Sequence, residues 1–373
     1  MIVFNSYWLS KIRDRILLNA KFRNYFENTW VFKPFVKSQA NQIFDLVSGF
    51  VYSQILFACI SLDLLEKLRG GPVKLSNLAE ICSVDLPEMQ RLIDGAKALG
   101  IVETRENDLI GLGIKGILIL TKPSISALIK HHSTFYKDLI DPVALLRKQR
   151  NSTALGSFWP YASNEKHEDF CFSEEIIRNY SEVMSISQPL VSEQICSAYK
   201  FYKHKKILDL GGGQATFAIN LAKKYPNLKI SVFDLPQVSK IAGEKICNSG
   251  FESQIKVYQG SFLRDPIPKG YDLITLIRVL YDHPDKNLKV ILASAKKSLQ
   301  TSGKLLIAEP MAGEAGTGRM SDAYFGMYLL AMGKGLPRSH KRIHFLLKEA
   351  GFSSVRSIKV TLPIQTGLIV AEA

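Results

Sequence analysis

The sequence predicts an α/β protein in which a mainly helical winged-helix domain precedes a doubly wound, Rossmann-like domain. Strands and helices alternate from Lys206 to the C-terminus, the pattern of a parallel sheet covered by helices on both faces. Before them, two amphipathic helices lead into a short alternating hairpin, which is typical of a winged helix. A glycine-rich turn after the first strand of the sheet predicts a nucleotide site there.

These patterns divide the 373 residues into four segments. Residues 1–40 form a basic, aromatic arm, and residues 41–120 form the winged-helix domain. Residues 121–200 are mostly helical and are expected to roof a pocket, and residues 201–373 form the nucleotide-binding domain. With 46% hydrophobic residues, the chain can bury sizeable cores.

The net charge of +14 indicates an anionic partner, for which nucleic acid and an anionic membrane surface are the usual candidates. Basic residues of the arm alternate with aromatic ones, a composition that suits a membrane interface. A helical arm that packs its aromatic rings on a partner subunit explains the composition equally well. The N-terminus lacks the features of a signal peptide and the five cysteines show no paired spacing, so we expect a cytoplasmic protein.

An apolar helix is predicted over residues 44–65. Its uncharged run, residues 46–62, is just short of the length that crosses a bilayer. Polar side chains interrupt the run, so we expect a buried helix at a dimer interface, with a membrane span as the alternative.

Two capped amphipathic helices follow, with Ser76 and Asp85 as the predicted N-caps and Gly100 as the stop. The chain then alternates around Asn107 and Asp108, like the β-wing of a winged helix. Winged helices read DNA through their second helix, but here acidic residues on that helix balance the basic ones. We therefore expect no nucleic acid partner.

The predicted roof contains two adjacent histidines, His131 and His132, and an aromatic run at residues 158–161. Neighbouring residues on a helix point about 100° apart, so the two histidines are not arranged to share a metal ion. We expect no metal site.

Residues 207–217, ILDLGGGQATF, have the pattern of a buried strand, a glycine turn and the start of a helix. Asp209 lies near the end of the strand, and Gly211 and Gly213 let the backbone turn sharply beside a ligand. A dinucleotide fingerprint would have a third glycine where Thr216 stands, which disfavours pyrophosphate binding. The turn therefore fits an adenosyl ligand without phosphates better.

The next strand, residues 229–233, ends in Asp234, which is followed by Leu235. A carboxylate at the tip of the second strand is where such folds hold a ribose diol. The structural alternative is an acid that only caps the following helix. Ligands of such sheets lie beyond the carboxyl ends of the strands, so the loops at Ser261, Tyr281 and Glu309 belong to the same predicted pocket.

The ordered motifs LDLGGGQATFAINLAKKYP, FDLPQV, GSFLRDPIP and LIRVLYDHPD resemble those of the S-adenosylmethionine-dependent O-methyltransferases that have a winged-helix dimerisation domain. The resemblance extends from about residue 42 to the C-terminus. Within this family, FDLVSGFVYSQILFACISLDLL, HHSTFYKDLIDPVALLR and FWPYA look like the enzymes of phototrophic bacteria that methylate 1-hydroxy carotenoids of the demethylspheroidene or hydroxyneurosporene type. The resemblance implies a class I methyltransferase fold, a homodimer, S-adenosylmethionine as cofactor and an apolar carotenoid acceptor.

The resemblance implies eight cofactor-binding residues: Asp209, Gly211, Gly213, Asp234, Leu235, Ser261, Phe262 and Arg278. Among them, Gly211 and Gly213 would face the methionine end and Asp234 the ribose. Relatives have an acidic residue for the adenine amine where Ser261 stands, with an apolar neighbour. Arg278 stands where many relatives have a basic residue beside the adenosine.

The predicted catalytic residues depart from the family pattern. Plant relatives have a histidine base where Tyr281 stands, and His283 lies two residues further on. Two roles are therefore open: His283 as the base, and Tyr281 orienting the acceptor hydroxyl or relaying its proton. The resemblance implies that Glu309 orients the base and that His340 contacts the base or the substrate, whereas Asp282 is expected to brace the loop by bonding backbone amides.

We expect methyl transfer to the hydroxyl of a 1-hydroxy carotenoid, by an enzyme in the cytoplasm or peripheral at the inner, photosynthetic membrane. An apolar acceptor requires a tunnel lined by apolar and aromatic side chains. Candidates at helical spacing, which would also suit a plain core, are Met311, Tyr324, Met327, Tyr328 and Met332. The alternatives are a tetrapyrrole or small phenolic acceptor, a DNA-binding winged-helix regulator that keeps the cofactor fold as a sensor, and a membrane-surface subunit that presents substrate to a partner.

Overall fold

The computed structural model describes residues 7–158, 188, 191–313, 319–360 and 366–373. The chain forms two compact units, which divide between Thr121 and Lys122. The first unit contains the predicted arm and winged helix, and the second contains the predicted sheet. Of the aromatic run at 158–161, all but Phe158 lies outside the described residues.

The first unit is helical apart from one small hairpin. Its helices are α1 (Tyr7–Leu18), α2 (Ala20–Asn28), α3 (Lys33–Ser61), α4 (Leu64–Lys67), α5 (Leu75–Cys82), α6 (Leu86–Ala98) and α7 (Ile114–Leu120). Strands β1 (Val102–Thr104) and β2 (Ile110–Leu112) pair antiparallel between α6 and α7. Asn107 and Asp108, between the strands, both adopt the left-handed backbone conformation that a tight hairpin turn requires. The predicted wing is therefore present.

The ends of α5 and α6 differ in part from the predicted ones. Ser76 lies inside α5, because Val73 is hydrogen-bonded to Ile110 of β2 and the helix begins directly afterwards, so the predicted Ser76 cap is wrong. Asp85 stands directly before α6, but its side chain makes no capping hydrogen bond to the described backbone. Gly100 follows α6 in a left-handed conformation, as predicted.

Helix α3 is longer than predicted and is largely exposed. It spans 29 residues, of which Cys59 and Ile60 are buried within the described chain. By length and composition α3 could cross a membrane, but buried helices of soluble proteins meet the same criterion. One chain does not bury this helix within its described residues, so the expected dimer interface would have to cover it.

The second unit is a sheet with helices packed on both faces. Its helices are α8 (Pro123–Leu139), α9 (Pro142–Leu146), α10 (Ala154–Phe158), α11 (191–198), α12 (Thr216–Lys224), α13 (Pro236–Asn248), α14 (Asp285–Ser298), α15 (Gly326–Met332) and α16 (His340–Glu349). A π-helical turn, Arg319–Phe325, leads directly into α15. Helix α8 and this turn supply the side chains that cover the acceptor side of the pocket.

Seven strands form the sheet in the order β5-β4-β3-β6-β7-β9-β8. They are β3 (Lys206–Leu210), β4 (Lys229–Asp234), β5 (Ile255–Gln259), β6 (Tyr271–Ile277), β7 (Leu299–Glu309), β8 (Ser354–Ile358) and β9 (Gly367–Glu372). The first five are parallel, and β9 runs antiparallel between β7 and β8. The strand order reverses between β3 and β6, and a crevice opens beyond the carboxyl ends of strands at such a point.

The strands are buried on both faces, which fixes where their carboxyl ends lie. Ile207 packs into one hydrophobic core and its neighbour Leu208 into the core on the opposite face. Full burial of one such side chain stabilises the fold by about 1.5–3 kcal/mol. The loops after β3, β4, β6 and β7 therefore project from a rigid base.

Candidate active site

The glycine turn after β3 is closed on one side and open on the other. Gly211 and Gly213 have φ angles of 74° and 57°, a region that favours glycine. A Cβ atom at Gly211 would lie 2.8 Å from Val279 Cγ2, whereas nothing lies within 4 Å of a Cβ at Gly213. A ligand can therefore approach the backbone closely at Gly213.

Asp209 supports the turn from inside the sheet. Its side chain is buried and accepts a hydrogen bond from the Thr275 hydroxyl at 2.7 Å. A Cβ atom at Gly212 would lie 2.6 Å from Asp209 Oδ2, so the turn packs directly on this carboxyl group. Burial raises the pKa of Asp209 to about 7; the Thr275 hydrogen bond opposes this shift and Asp234 adds to it.

Asp234, at the end of β4, faces the glycine turn. Its two carboxyl oxygens accept hydrogen bonds from the backbone amides of Gly213 and Leu235, both at 2.8 Å. Burial raises the pKa of Asp234 to about 6, and the two amides oppose the shift. Each carboxylate oxygen has a second acceptor position, which suits the two hydroxyls of a ribose. Together with the open space at Gly213, this geometry fits an adenosyl ligand.

Phe262 connects the glycine turn to His283. A Cβ atom at Gly211 would lie 3.5 Å from the Phe262 ring, and that ring meets the His283 ring edge-on with centroids 5.5 Å apart. Ser261, before Phe262, is held through its backbone amide, which donates to Asp265 at 2.7 Å. The His283 ring therefore lies against the residue that the resemblance places beside the adenine.

His283 is a neutral histidine in this environment. Burial lowers its pKa to about 4, and the positive charges of Lys334 and Arg338 lower it further. Its backbone carbonyl accepts a hydrogen bond from Arg338 at 2.6 Å. His283 is therefore a weaker base than an ordinary histidine.

Arg278 and Tyr281, after β6, interact with each other. Arg278 has a φ of 56°, a conformation that is strained for a residue with a side chain and is often found at functional sites. Its guanidinium lies 6.0 Å from the centre of the Tyr281 ring and is hydrogen-bonded to the Tyr281 hydroxyl. Burial opposes the charge of Arg278, but the oxygens of Tyr281 and Asp282 outweigh this and raise its pKa. Burial also raises the pKa of Tyr281 far above its usual value, so the phenol stays protonated near neutral pH.

The two carboxyl groups near Tyr281 have roles that differ from the predicted ones. Glu309 is 1% exposed and accepts hydrogen bonds from the backbone amides of Val279 and Leu280, at 2.9 and 2.7 Å. Asp282, expected to bond backbone amides, instead buries its Oδ1 without a hydrogen-bond partner among the described residues, so that prediction is wrong. The reason is that β7 ends beside β6, which brings the Glu309 carboxyl onto the loop amides. Burial raises the pKa of Glu309 to about 7.

His340 lies at the start of α16, directly after the N-cap Ser339. A Cβ atom at Gly367 would lie 2.7 Å from His340 Nε2 and 2.3 Å from the side chain of Met311. The structure therefore places His340 against the beginning of β9, beside Met311.

Two histidine–tyrosine pairs join α8 to the helical segment after β7. His131 Nε2 lies 2.7 Å from the Tyr328 hydroxyl, and His132 Nε2 lies 2.9 Å from the Tyr324 hydroxyl. Phe135 packs edge-on against both tyrosine rings. The sequence does not predict these pairs, because 197 and 192 residues separate the partners. Among the described residues, no group of three His, Cys, Asp or Glu side chains is placed to hold a metal ion.

The proposed tunnel lining separates into two groups. An aromatic cluster around Tyr281 and Phe325 includes Tyr324, Met327, Tyr328 and Met332. Met311 packs instead into the core beneath the sheet. Tyr281 therefore faces an aromatic roof, while His283 lies beside Phe262.

Arg338 is a further site residue that the sequence does not predict. It is 6% exposed and donates to the carbonyl oxygens of Leu280 and His283, at 3.0 and 2.6 Å. It also forms an ion pair with Asp285 at 2.7 Å. Arg338 therefore fixes the loop that contains Tyr281, and its partners are too distant in sequence to be inferred from it.

Comparison with known proteins identifies the family. Residues 136–353 match the model of an O-methyltransferase domain, and residues 44–112 match that of an O-methyltransferase dimerisation domain. The chain belongs to the O-methyltransferase family. The predictions of an S-adenosylmethionine-dependent O-methyltransferase and of its fold are thereby confirmed, and the dimerisation domain supports assembly of this methyltransferase as a homodimer.

Relatives of this methyltransferase include two bacterial enzymes of one name. It is 36% identical to the demethylspheroidene O-methyltransferase of Rhodobacter capsulatus, over 96% of this chain and 88% of the relative. It is 32% identical to the demethylspheroidene O-methyltransferase of Cereibacter sphaeroides, over 93% of this chain and 91% of the relative. The solved structure of human N-acetylserotonin methyltransferase in complex with SAM has a TM-score of 0.74 and 24% identity, covers 90% of this chain and 97% of its own, and shows the same fold.

Proposed function

We propose that this methyltransferase transfers a methyl group from S-adenosylmethionine to the hydroxyl of a 1-hydroxy carotenoid in carotenoid biosynthesis. The supporting observation is the similarity to a demethylspheroidene O-methyltransferase, which extends through 96% of the chain. The similar region includes the roof helix α8 as well as the cofactor-binding domain. Because it includes side chains on the acceptor side, it supports a shared type of acceptor and not only a shared cofactor.

The residues around the glycine turn would hold the cofactor. Bound S-adenosylmethionine supplies an electrophilic methyl group on a sulfonium. Asp234 would receive the ribose hydroxyls, since its carboxylate has acceptor positions beyond those that the Gly213 and Leu235 amides use. Phe262 would present an apolar surface to the adenine, and His283 would border the same ring from beyond Phe262.

Tyr281 would orient the acceptor hydroxyl. Its oxygen is hydrogen-bonded to Arg278, and its own proton stays on the phenol near neutral pH. That proton can be donated to the acceptor oxygen, which fixes one direction of approach. Holding the nucleophile in line with the methyl group contributes much of the rate in such displacements. Glu309 and Arg338 fix Tyr281 indirectly, because both hydrogen-bond the backbone of its loop.

A long apolar acceptor fits the aromatic roof. Tyr324, Phe325 and Tyr328 pack with Tyr281 in one buried cluster, and the rings of Tyr281 and Phe325 lie 6.1 Å apart. Buried apolar area supplies most of the binding free energy for such a molecule, at about 25 cal/mol per Å². The same cluster would keep water away from the reacting oxygen.

The direct test is a methyl-transfer assay with labelled S-adenosylmethionine and four detergent-dispersed acceptors: 1-hydroxyneurosporene, demethylspheroidene, a bacteriochlorophyllide and a catechol. We expect label in the carotenoids. Neurosporene, which lacks the hydroxyl, is the matched control and should stay unlabelled. Label only in the bacteriochlorophyllide or the catechol, or no label although S-adenosylhomocysteine binds, would contradict the proposal.

We also propose that the enzyme is cytoplasmic and touches the inner membrane through its arm. Trp8 and Trp30 are 67% and 80% exposed, and basic residues such as Arg15 and Arg23 lie on the same two helices or beside them. Aromatic and basic side chains together suit an anionic bilayer surface. The protein should sediment with vesicles of anionic lipid and not with neutral ones, and replacing both tryptophans by alanine should weaken this. Equal sedimentation with both vesicle types would contradict an electrostatic contact.

A further inference from the structure

The proton of the acceptor hydroxyl needs a base, and neither predicted candidate is well placed to be one. Tyr281 keeps its own proton, and its oxygen is bonded to Arg278, whose guanidinium has no acceptor site. His283 packs on Phe262 at the cofactor side, and its pKa of about 4 makes it a weak base. Both observations direct the search for a proton acceptor to the roof.

We propose that Tyr324 receives the proton of the acceptor hydroxyl and passes its own proton to His132, which is the general base of the reaction. The inference rests on the proposed function, since it names the residues that take the proton in that same site. Its observation is the 2.9 Å contact between the Tyr324 hydroxyl and His132 Nε2.

Tyr324 shares the roof cluster with the residue that would orient the acceptor. Phe325 contacts both, with ring centroids 6.1 Å from Tyr281 and 5.1 Å from Tyr324. The positive charge of Arg278 also acts on the Tyr324 hydroxyl. A cation at this distance stabilises negative charge that develops on a phenol oxygen during proton transfer. Tyr281 and Tyr324 therefore differ in what stands behind the hydroxyl, which is an arginine for one and a histidine for the other.

The second pair, His131 and Tyr328, has the same chemistry in a drier place. His131 is 7% exposed, and burial followed by the proximity of His132 lowers its pKa to about 4. His132 is half-buried, so a proton taken up there can pass to solvent. Its ring faces His131 and Tyr136 on its own helix and Tyr324 on the π-helical turn, with Arg278 beyond Tyr324. His132 is the better proton acceptor of the two.

The step balances without a further reactant. The acceptor oxygen forms a bond to the methyl carbon while the carbon–sulfur bond breaks, and that electron pair stays on sulfur. The hydroxyl proton moves to the oxygen of Tyr324 as the phenol proton moves to Nε2 of His132. The products are a methyl ether, S-adenosylhomocysteine and an imidazolium, which releases its proton to water.

The relay requires one tautomer of His132. Nε2 must be free of hydrogen so that it accepts from Tyr324, which leaves the hydrogen on Nδ1. Nitrogen-15 NMR of histidine-labelled enzyme distinguishes the tautomers without any turnover, with His132→Gln assigning the signal. We expect the Nδ1–H tautomer above the pKa of His132 and a change in its nitrogen shifts in Tyr324→Phe. An Nε2–H tautomer in the wild type would overturn the relay.

Kinetics test the same relay independently, with the best acceptor that the wild type accepts. His132→Gln and Tyr324→Phe should each lower kcat by about 10²-fold or more, the range of general-base catalysis. The acid limb of the kcat–pH profile should vanish in His132→Gln. His131→Gln is the matched control, which should keep that limb and lose less than about 10²-fold.

Calorimetric binding of S-adenosylhomocysteine shows that each variant is folded. An acid limb that survives in His132→Gln, or one that disappears in Asp282→Asn instead, would assign the proton to another group. If the wild type methylated no carotenoid, the proposed function would fail, while the tautomer of His132 would still decide whether the pair can relay a proton.

Discussion

Alanine at the two positive-φ glycines of the turn should impair the enzyme in different ways. In Gly211→Ala, the left-handed backbone costs about 1–2 kcal/mol. The new Cβ would also lie 2.8 Å from Val279 Cγ2, and such overpacking costs a further ~1–3 kcal/mol. The expected loss in the free energy of unfolding is therefore about 2–5 kcal/mol.

Gly213→Ala should lose only the backbone part, about 1–2 kcal/mol, because nothing lies within 4 Å of its Cβ position. The open space there is the space assigned to the cofactor. We therefore expect the Kd for S-adenosylhomocysteine to rise at least ~10-fold, which is about 1.4 kcal/mol.

Urea unfolding and isothermal titration calorimetry measure the two effects on the same samples. Gly243→Ala is the matched control, since Gly243 lies within α13 with no atom within 4 Å of its Cβ position. It should gain about 0.5–1 kcal/mol of stability and bind normally. The reasoning is refuted if folded Gly213→Ala binds as tightly as the wild type, or if Gly211→Ala is no less stable than Gly213→Ala.

Three further predictions concern the buried carboxyl groups. Because the folded-state pKa of Asp234 is about 6, affinity for S-adenosylhomocysteine should fall as the pH drops through that value, and calorimetry at several pH values should show no such fall in Asp234→Asn. Burial raises the pKa of Asp209 to about 7, so the stability it contributes is complete below its unfolded pKa and lost as the pH rises through 7; urea titrations of Asp209→Asn should show a flatter decline over that range. Glu309→Gln should cost about 1–3 kcal/mol in urea unfolding and lower kcat more than cofactor affinity, because its carboxyl holds backbone amides of the catalytic loop; an unchanged kcat would contradict this role.

Features that depend on neighbouring residues were predictable from the sequence. The glycine turn and Asp234 follow from alternating apolar strands and from residues whose backbone or charge suits a strand end. The wing follows in the same way from Asn107 and Asp108. The family resemblance supplied the fold and the chemistry, both of which the comparisons confirm.

Features that depend on strand order or on distant helices were not predictable. The Glu309 carboxyl reaches the loop amides because β7 lies beside β6, so the nearer Asp282 does not have that role. The pairing of His132 with Tyr324 joins segments 192 residues apart, and nothing in either segment specifies it. Ser76 failed as a helix cap because a tertiary contact of Val73 sets where the helix begins.

The central claim is that the enzyme methylates a hydroxyl of a carotenoid. The most direct measurement is incubation with methyl-deuterated S-adenosylmethionine and a 1-hydroxy carotenoid, followed by mass spectrometry and NMR of the product. The account predicts a single deuterated methyl group on the former hydroxyl oxygen and no product from the carotenoid that lacks it. A deuterated methyl group on carbon, or a larger kcat/KM for a tetrapyrrole or catechol under the same conditions, would contradict it.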